Sequence, residues 1–226
     1  NGVYQLLRYL FDAIDRFTPS HIVCCWDMGS KTFRTEVYPE YKSNRKEPPD
    51  ELVPQFELVK EVTRTLSIPN IGLDNYEADD CIGTLSNQYA PFNHVTILTG
   101  DHDLLQLVNE SIQVAIMKKG IGNYDVYTND NFIDKKGIHP YQIVDYKALT
   151  GDSADNYPGV KGIGEKTAAK LLNEYKTIDQ LLIHLDHLSP TIRKRIETHL
   201  EMLHISRRLA QIQCDVPITH PIDQTA

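Results

Sequence analysis

Eight carboxylates stand where the chain changes direction. Asp27 ends the apolar run HIVCCWD (21–27), and Glu77, Asp79 and Asp80 open YEADDCIGTLSNQY (76–89). Asp101 and Asp103 end HVTILTGDHD (94–103), while Asp152 and Asp155 lie three apart in GDSADNYPGVKGIGEKTAAKLL (151–172). Each group alone has a plain reading, because acids favour helix N-termini and Asp and Gly make turns. Together they ask for more. In an open parallel sheet the C-terminal ends of strands and the adjoining helix starts converge on one crevice. Like charges ~4 Å apart repel by about 4 kcal/mol at an effective dielectric of ~20, so a cation belongs among them. Oxygen ligands without an accompanying Cys or His cluster suit Mg²⁺ or Mn²⁺ rather than Zn²⁺. Two such ions about 3.5–4 Å apart suit an in-line attack of water on a phosphodiester, one activating the water and the other steadying the leaving oxygen.

The cations fall beside the acids. KTFRTEVYPEYKSNRK (31–46) carries Lys31, Arg34, Lys42, Arg45 and Lys46, with Phe33, Tyr38 and Tyr41 interleaved. Cations with aromatic platforms suit a single strand of nucleic acid, although the same pattern also describes a solvated surface helix with its tyrosines packed inward. In GVKGIGEKTAAKLL, Gly162 and Gly164 permit a tight turn and close backbone approach, so amide donors at the helix start near Glu165 can cradle a phosphate. Lys161, Lys166, Thr167 and Lys170 extend that site.

These residues need elements to hold them. HIVCCWD and HVTILTGDHD read as buried parallel strands, each ending in acids. SIQVAIM (111–117) and YDVYT (124–128) read as further strands, the latter a hairpin partner across KKGIGN. Helices are expected from the first residues, where Val3, Leu6, Leu7, Leu10, Ile14 and Phe17 share a stripe, from Glu51 to Leu66, and from the YEADD segment. After Asp130 the pattern is helical almost to Cys214. An α/β sheet domain over about 1–130 and a helical portion over 131–226 follow. With 226 residues, 41% hydrophobic and 24% charged, the chain can bury a sizeable core. No apolar stretch approaches the ~18 residues of a membrane span, and the amphipathic start is not an export signal. The four cysteines form no C-x-x-C pair, which fits reduced thiols in the cytoplasm. A net charge of −8 excludes a generally basic nucleic-acid coat but not a local patch.

WDMGSKTFR, YPEYKSNR, YEADDCIGTL, TGDHDLLQL and GDSADNYPGVKGIGEKTAAKLL resemble, in order and spacing, the motifs of the bacterial 5′ nuclease family: flap endonucleases and the 5′-nuclease domain of DNA polymerase I. The resemblance covers nearly the whole chain. It implies a PIN-like, mainly parallel sheet flanked by helices, a helical arch at about 31–50, and a helix-three-turn-helix at about 152–175 gripping duplex DNA. It places Asp27, Glu77 and Asp79 on the side of a first metal and Asp101, Asp103, Asp152 and Asp155 nearer a second, with Asp80 acting through water. Lys42 and Arg45 match cations that contact the reacting phosphate, and the glycine turn matches a K⁺ site. The implied activity is Mg²⁺- or Mn²⁺-dependent hydrolysis of DNA, by a monomer, at a 5′ single-stranded end or flap beside duplex. The family carries a further metal-binding Asp after its first strand, upstream of Asn1, so the sequence is expected to be a piece of a longer product. A catalytically impaired branched-DNA-binding protein and a PIN-type ribonuclease are the alternatives, the latter without need of the module at 159–172.

Overall fold

The computed structural model describes residues 2–224. The first helix, α1 (Gly2–Phe17), leads to a two-residue strand, β1 (Cys24–Cys25). The expected strand at 21–27 is thus reduced to its centre, where Cys24 and Cys25 pair in parallel with Asn70 and Ile71 of β2. β2 (Asn70–Ile71) carries too few apolar residues to show in the sequence. A second sheet runs β3 (Val95–Thr99), β4 (Ile112–Met117), β5 (Tyr124–Tyr127). β3 and β4 are parallel from Val95–Ile112 to Thr99–Ile116, and β4 and β5 form the expected antiparallel pair. Between the two pieces of sheet lies α4 (Ala78–Tyr89), packed against both β1 and β3.

All six stripe residues of α1 are half-buried and Ala13 is its one fully buried residue. The helix packs on α3 (Val53–Thr65) and is tied to β5 by the Phe17–Tyr124 ring contact at 5.3 Å and a Tyr124 hydroxyl bond to Asp12 of 2.5 Å. The basic segment begins with a five-residue helix, α2 (Phe33–Val37), capped by Thr32. It then continues as turns to residue 52, so the chain expected to form an arch at 31–50 is mostly non-helical.

Beyond β5 the described elements are helical: α5 (Phe132–Lys136), α6 (Ile143–Thr150), α7 (Glu165–Tyr175), α8 (Ile178–Ile183), α9 (Pro190–Thr198) and α10 (Leu200–Ala210). Two apolar cores result. One joins Ile97, Leu104, Leu105, Val114, Ile116 and Phe132 beneath the second sheet; the other joins Leu149, Val160, Ile163, Leu172, Ile178 and Leu203 among the helices. A small third cluster joins Tyr41, Val144, Tyr157, Leu209 and Ala210, and the Tyr41 hydroxyl reaches Glu77 and Asp155 from it.

Candidate active site

The acids arrive from four directions. Asp27, just beyond β1, caps the start of α4 by accepting the Ala78 N–H at 2.7 Å. Glu77 and Asp79 stand at that same helix start. Asp101 follows β3 and accepts the Asp103 N–H at 2.8 Å, which turns the chain into a short 3₁₀ helix (His102–Leu107). Asp152 and Asp155 occupy the loop after α6. That loop is closed by two glycines: Gly151 at φ 72° and Gly159 at φ 58° lie so close that a Cβ on Gly159 would come within 2.3 Å of the Gly151 nitrogen. No side chain fits there, which fixes the loop's ends and aims its acids.

Asp103, Asp152 and Asp155 each offer a carboxylate oxygen within 4.8 Å of the others. Burial, then Asp101 and Glu77, push the Asp79 carboxyl up to about 7, with a smaller push from Asp27. Asp79 therefore feels the charges of Asp101, Glu77 and Asp27. Tyr41 links the two groups, its hydroxyl lying 3.2 Å from both Glu77 Oε2 and Asp155 Oδ2.

Three cations stand among these acids. Lys42 pairs with Glu77 and lies 4.0 Å from Asp155, and Arg45 donates to Asp155 Oδ1 at 2.5 Å. Lys147, on the last turn of α6, bridges Asp103 and Asp152, the latter at 2.7 Å. Burial works against the charge of Asp152, yet Lys147 and the Ala154 and Asp155 N–H groups hold its carboxyl below the ordinary range. Lys147 falls outside the motifs that single out the other site residues; its one signal is its place in YKALTGD, five residues before Asp152.

The segment carrying Lys42 is docked on the acid loop. The Lys42 N–H donates to the Asp155 carbonyl at 2.9 Å, Asn156 donates to the Glu40 carbonyl at 2.8 Å, and Asn44 donates to the Ser153 carbonyl at 2.8 Å. Lys42 takes a left-handed backbone (φ 58°) to do so, a conformation uncommon for a lysine.

Two assignments need correction. Arg34, expected to touch nucleic acid, is 2% exposed. Its guanidinium binds Glu77 at 2.6 Å, both oxygens of Asp80 at 2.8 Å, and the carbonyls of Leu209 and Gln211 at 2.9 and 2.8 Å. Asp80, expected to act on a metal through water, is 0% exposed and also accepts the Glu77 and Gln213 N–H groups at 3.0 and 2.9 Å. Its lone pairs are taken, so Arg34 and Asp80 form a buried strut that ties α2, α4 and the chain after α10 together.

The second cationic surface is formed by the glycine turn. Lys161, Lys166 and Lys170 are exposed, Thr167 is half-buried on the first turn of α7, and Lys31 lies at an open cleft with Met28, Asp74 and Tyr76. Gly162 needs its φ of 92° for the turn, while Gly164 caps α7 without a side chain, leaving the helix's first N–H groups uncovered. Arg195 of α9 donates to the Gly162 carbonyl at 2.8 Å. The charge run RKR (193–195) is the signal for this neighbour.

An α/β core is thus joined to a helical unit with a lysine-flanked glycine turn, and Asp103, Asp152 and Asp155 form an all-oxygen group that could hold a metal ion. Residues 1–137 match the family model for the 5′-3′ exonuclease N-terminal resolvase-like domain, and residues 138–226 match the 5′-3′ exonuclease C-terminal SAM fold. The chain is 53% identical to a 5′-3′ exonuclease of Bacillus subtilis, covering 96% of this chain and 74% of that protein. It is 40% identical to DNA polymerase I of Bacillus caldotenax across 100% of this chain, which spans 26% of the polymerase. Among solved structures, T5 5′-exonuclease with divalent zinc ions bound superposes with a TM-score of 0.77 at 20% identity, covering 93% of this chain and 81% of that one. The chain belongs to the 5′-3′ exonuclease family and is a nuclease of that family.

Proposed function

We propose that the protein hydrolyses DNA phosphodiesters at a 5′ single-stranded end or flap beside duplex, in replication and repair, using two Mg²⁺ or Mn²⁺ ions. One observation carries the reading: Asp103, Asp152 and Asp155 offer carboxylate oxygens within 4.8 Å of one another, and Tyr41 bridges Asp155 to Glu77. An all-oxygen donor set interleaved with lysine and arginine fits hard divalent cations. Asp103, Asp152 and Asp155, with Asp101, would hold one ion, and Asp27, Glu77 and Asp79 the other. Such ions supply an activated water and a stabilised leaving oxygen.

The chain's own groups do the rest. Arg45, with 52% of its side chain exposed, and Lys42 at the rim stand where the reacting phosphate would enter, and their charge opposes the negative charge that develops on it. Lys31 attends the single strand, and Lys161, Lys166, Thr167, Lys170 and the bare N-terminus of α7 attend the duplex backbone. A K⁺ ion at the turn would share the Gly162 carbonyl with Arg195, whose tethered guanidinium already supplies positive charge there. We take the active species to be a cytoplasmic monomer with its four free cysteines reduced.

The test is cleavage of a 5′-flap DNA, a blunt duplex and an RNA flap with and without Mg²⁺. The flap DNA should be cut fastest and only with metal, and Asp155→Asn should lower the rate by ~10²-fold or more. Metal-independent cleavage would overturn the metal reading. Preferred cutting of the RNA flap would favour the ribonuclease, and tight flap binding without cleavage would favour the impaired binding protein.

A further inference from the structure

Beneath the acids lies a group that the assignments above leave unused. Tyr157 is 3% exposed and its hydroxyl has no hydrogen-bond partner, one of two such buried side-chain atoms among the described residues. Its surroundings make that unusual. The nearby Arg34 and Tyr41 are both hydrogen-bonded, and a leucine or phenylalanine would fill an apolar site without stranding a hydroxyl.

The ring is rooted in the acid loop itself. The backbone of Tyr157 exchanges hydrogen bonds with that of Asp152, N–H to carbonyl, at 2.9 and 3.1 Å. One face of the ring stacks on Tyr41, with centroids 6.4 Å apart, and Tyr41 in turn reaches Glu77 and Asp155. Val144, Leu209 and Ala210 pack about the pair. Tyr157 thus sits in the loop that carries Asp152 and Asp155, and its hydroxyl feels the charges of Asp152, Asp155, Arg34 and Asp101; burial first, then the carboxylates, drive its pKa upward.

We propose that Tyr157 is a positioning residue whose hydroxyl donates to one buried water lodged among Asp101, Asp152 and Asp155, and so orders the metal-binding carboxylates from their buried side. A buried water needs about two to four polar partners, and a phenol donor with two or three carboxylate oxygens meets that need. The water gives the hydroxyl its missing bond and fixes which lone pairs of Asp152 and Asp155 turn outward. The consequence for metal binding rests on the function proposed above; the water itself does not. Loss of such an outer partner typically weakens metal affinity by about 10–100-fold.

Tyr157→Phe keeps the ring and its stacking and removes only the oxygen. Mn²⁺ titration of the full chain followed by electron paramagnetic resonance should show a dissociation constant raised about tenfold in this variant, with the far-ultraviolet circular dichroism unchanged. A high-resolution crystal structure of the metal-free wild type should show a water within hydrogen-bond distance of the Tyr157 hydroxyl and at least one of the three carboxylates. An unaltered Mn²⁺ constant in a folded Tyr157→Phe protein, or a hydroxyl with no water beside it, overturns the proposal. Asp103→Asn separates the two readings: if it leaves Mn²⁺ binding untouched, the metal assignment fails, and the presence or absence of the water alone decides the role of Tyr157. The crystal structure likewise decides if Tyr157→Phe does not fold.

Discussion

Asp79 shows what the crowding of acids does to a single group. Its carboxyl is raised to about 7 by burial and by Asp101, Glu77 and Asp27, while an unfolded Asp titrates near 3.9. The folded protein therefore binds that proton more tightly between about pH 4 and 7, and stability falls as pH rises through this window. Above it the destabilisation is complete. Asp79→Asn should make the metal-free protein more stable at pH 7.5 by on the order of 1–3 kcal/mol, with the gain shrinking toward pH 4.5, as read by urea denaturation. A gain that does not change with pH would mean that Asp79 is not the group being relieved. Arg34 carries the opposite expectation. Its removal strands Glu77 and the fully buried Asp80, so Arg34→Ala should cost about 3–5 kcal/mol of folding stability, measured in the same way. The residue types in KTFRTEV show a cation beside aromatics, but whether that cation faces solvent depends on an acid 46 residues away, which no local pattern reveals.

Among the elements, the acid loop between α6 and α7 and the helix end before it act as one part. Lys147 neutralises Asp103 and Asp152 from the last turn of α6. Lys147→Ala leaves both acids to repel, so the melting temperature of the metal-free protein should drop by several degrees, and the rise produced by millimolar Mg²⁺ should exceed that of the wild type. Scanning calorimetry at two metal concentrations checks both arms, and an equal rise in the two proteins would show that Lys147 and the metal do not answer the same charge. Periodicity makes β3, β4, β5, α4 and the helical second half legible, and the acids at the ends of those elements with them. The strand pair β1–β2 is half legible, because only the Cys24 side is apolar enough to announce itself. Residues 38–52 depart from the expected helical arch: Pro39, Pro48 and Pro49 break a helix there, and the segment's conformation is set by its docking on Ser153, Asp155 and Asn156.

Across the whole molecule, a net charge of −8 leaves room for local positive surface: Lys42, Arg45 and Lys147 pair with the acids, while Lys161, Lys166 and Lys170 are exposed about the glycine turn of the helical unit. The third apolar cluster joins Tyr41 to α6 and α10, and the Arg34 strut joins α2 and α4 to α10; on the proposed function, duplex binding and chemistry are separable by substitution. Lys166 is exposed at the open start of α7, so Lys166→Ala should weaken duplex binding about evenly across sequences and lower the salt slope of log K by roughly one. Lys42→Ala should lower kcat by more than it raises KM, because its charge matters most where negative charge develops on the phosphate. Its pairing with Glu77 adds a complication that single-turnover kinetics at saturating Mg²⁺ resolves, since the metal then takes over the neutralisation of the acids. If Lys42→Ala alters only the salt slope and leaves the single-turnover rate intact, then Lys42 belongs to the grip, and the charge that meets the reacting phosphate must come from Arg45.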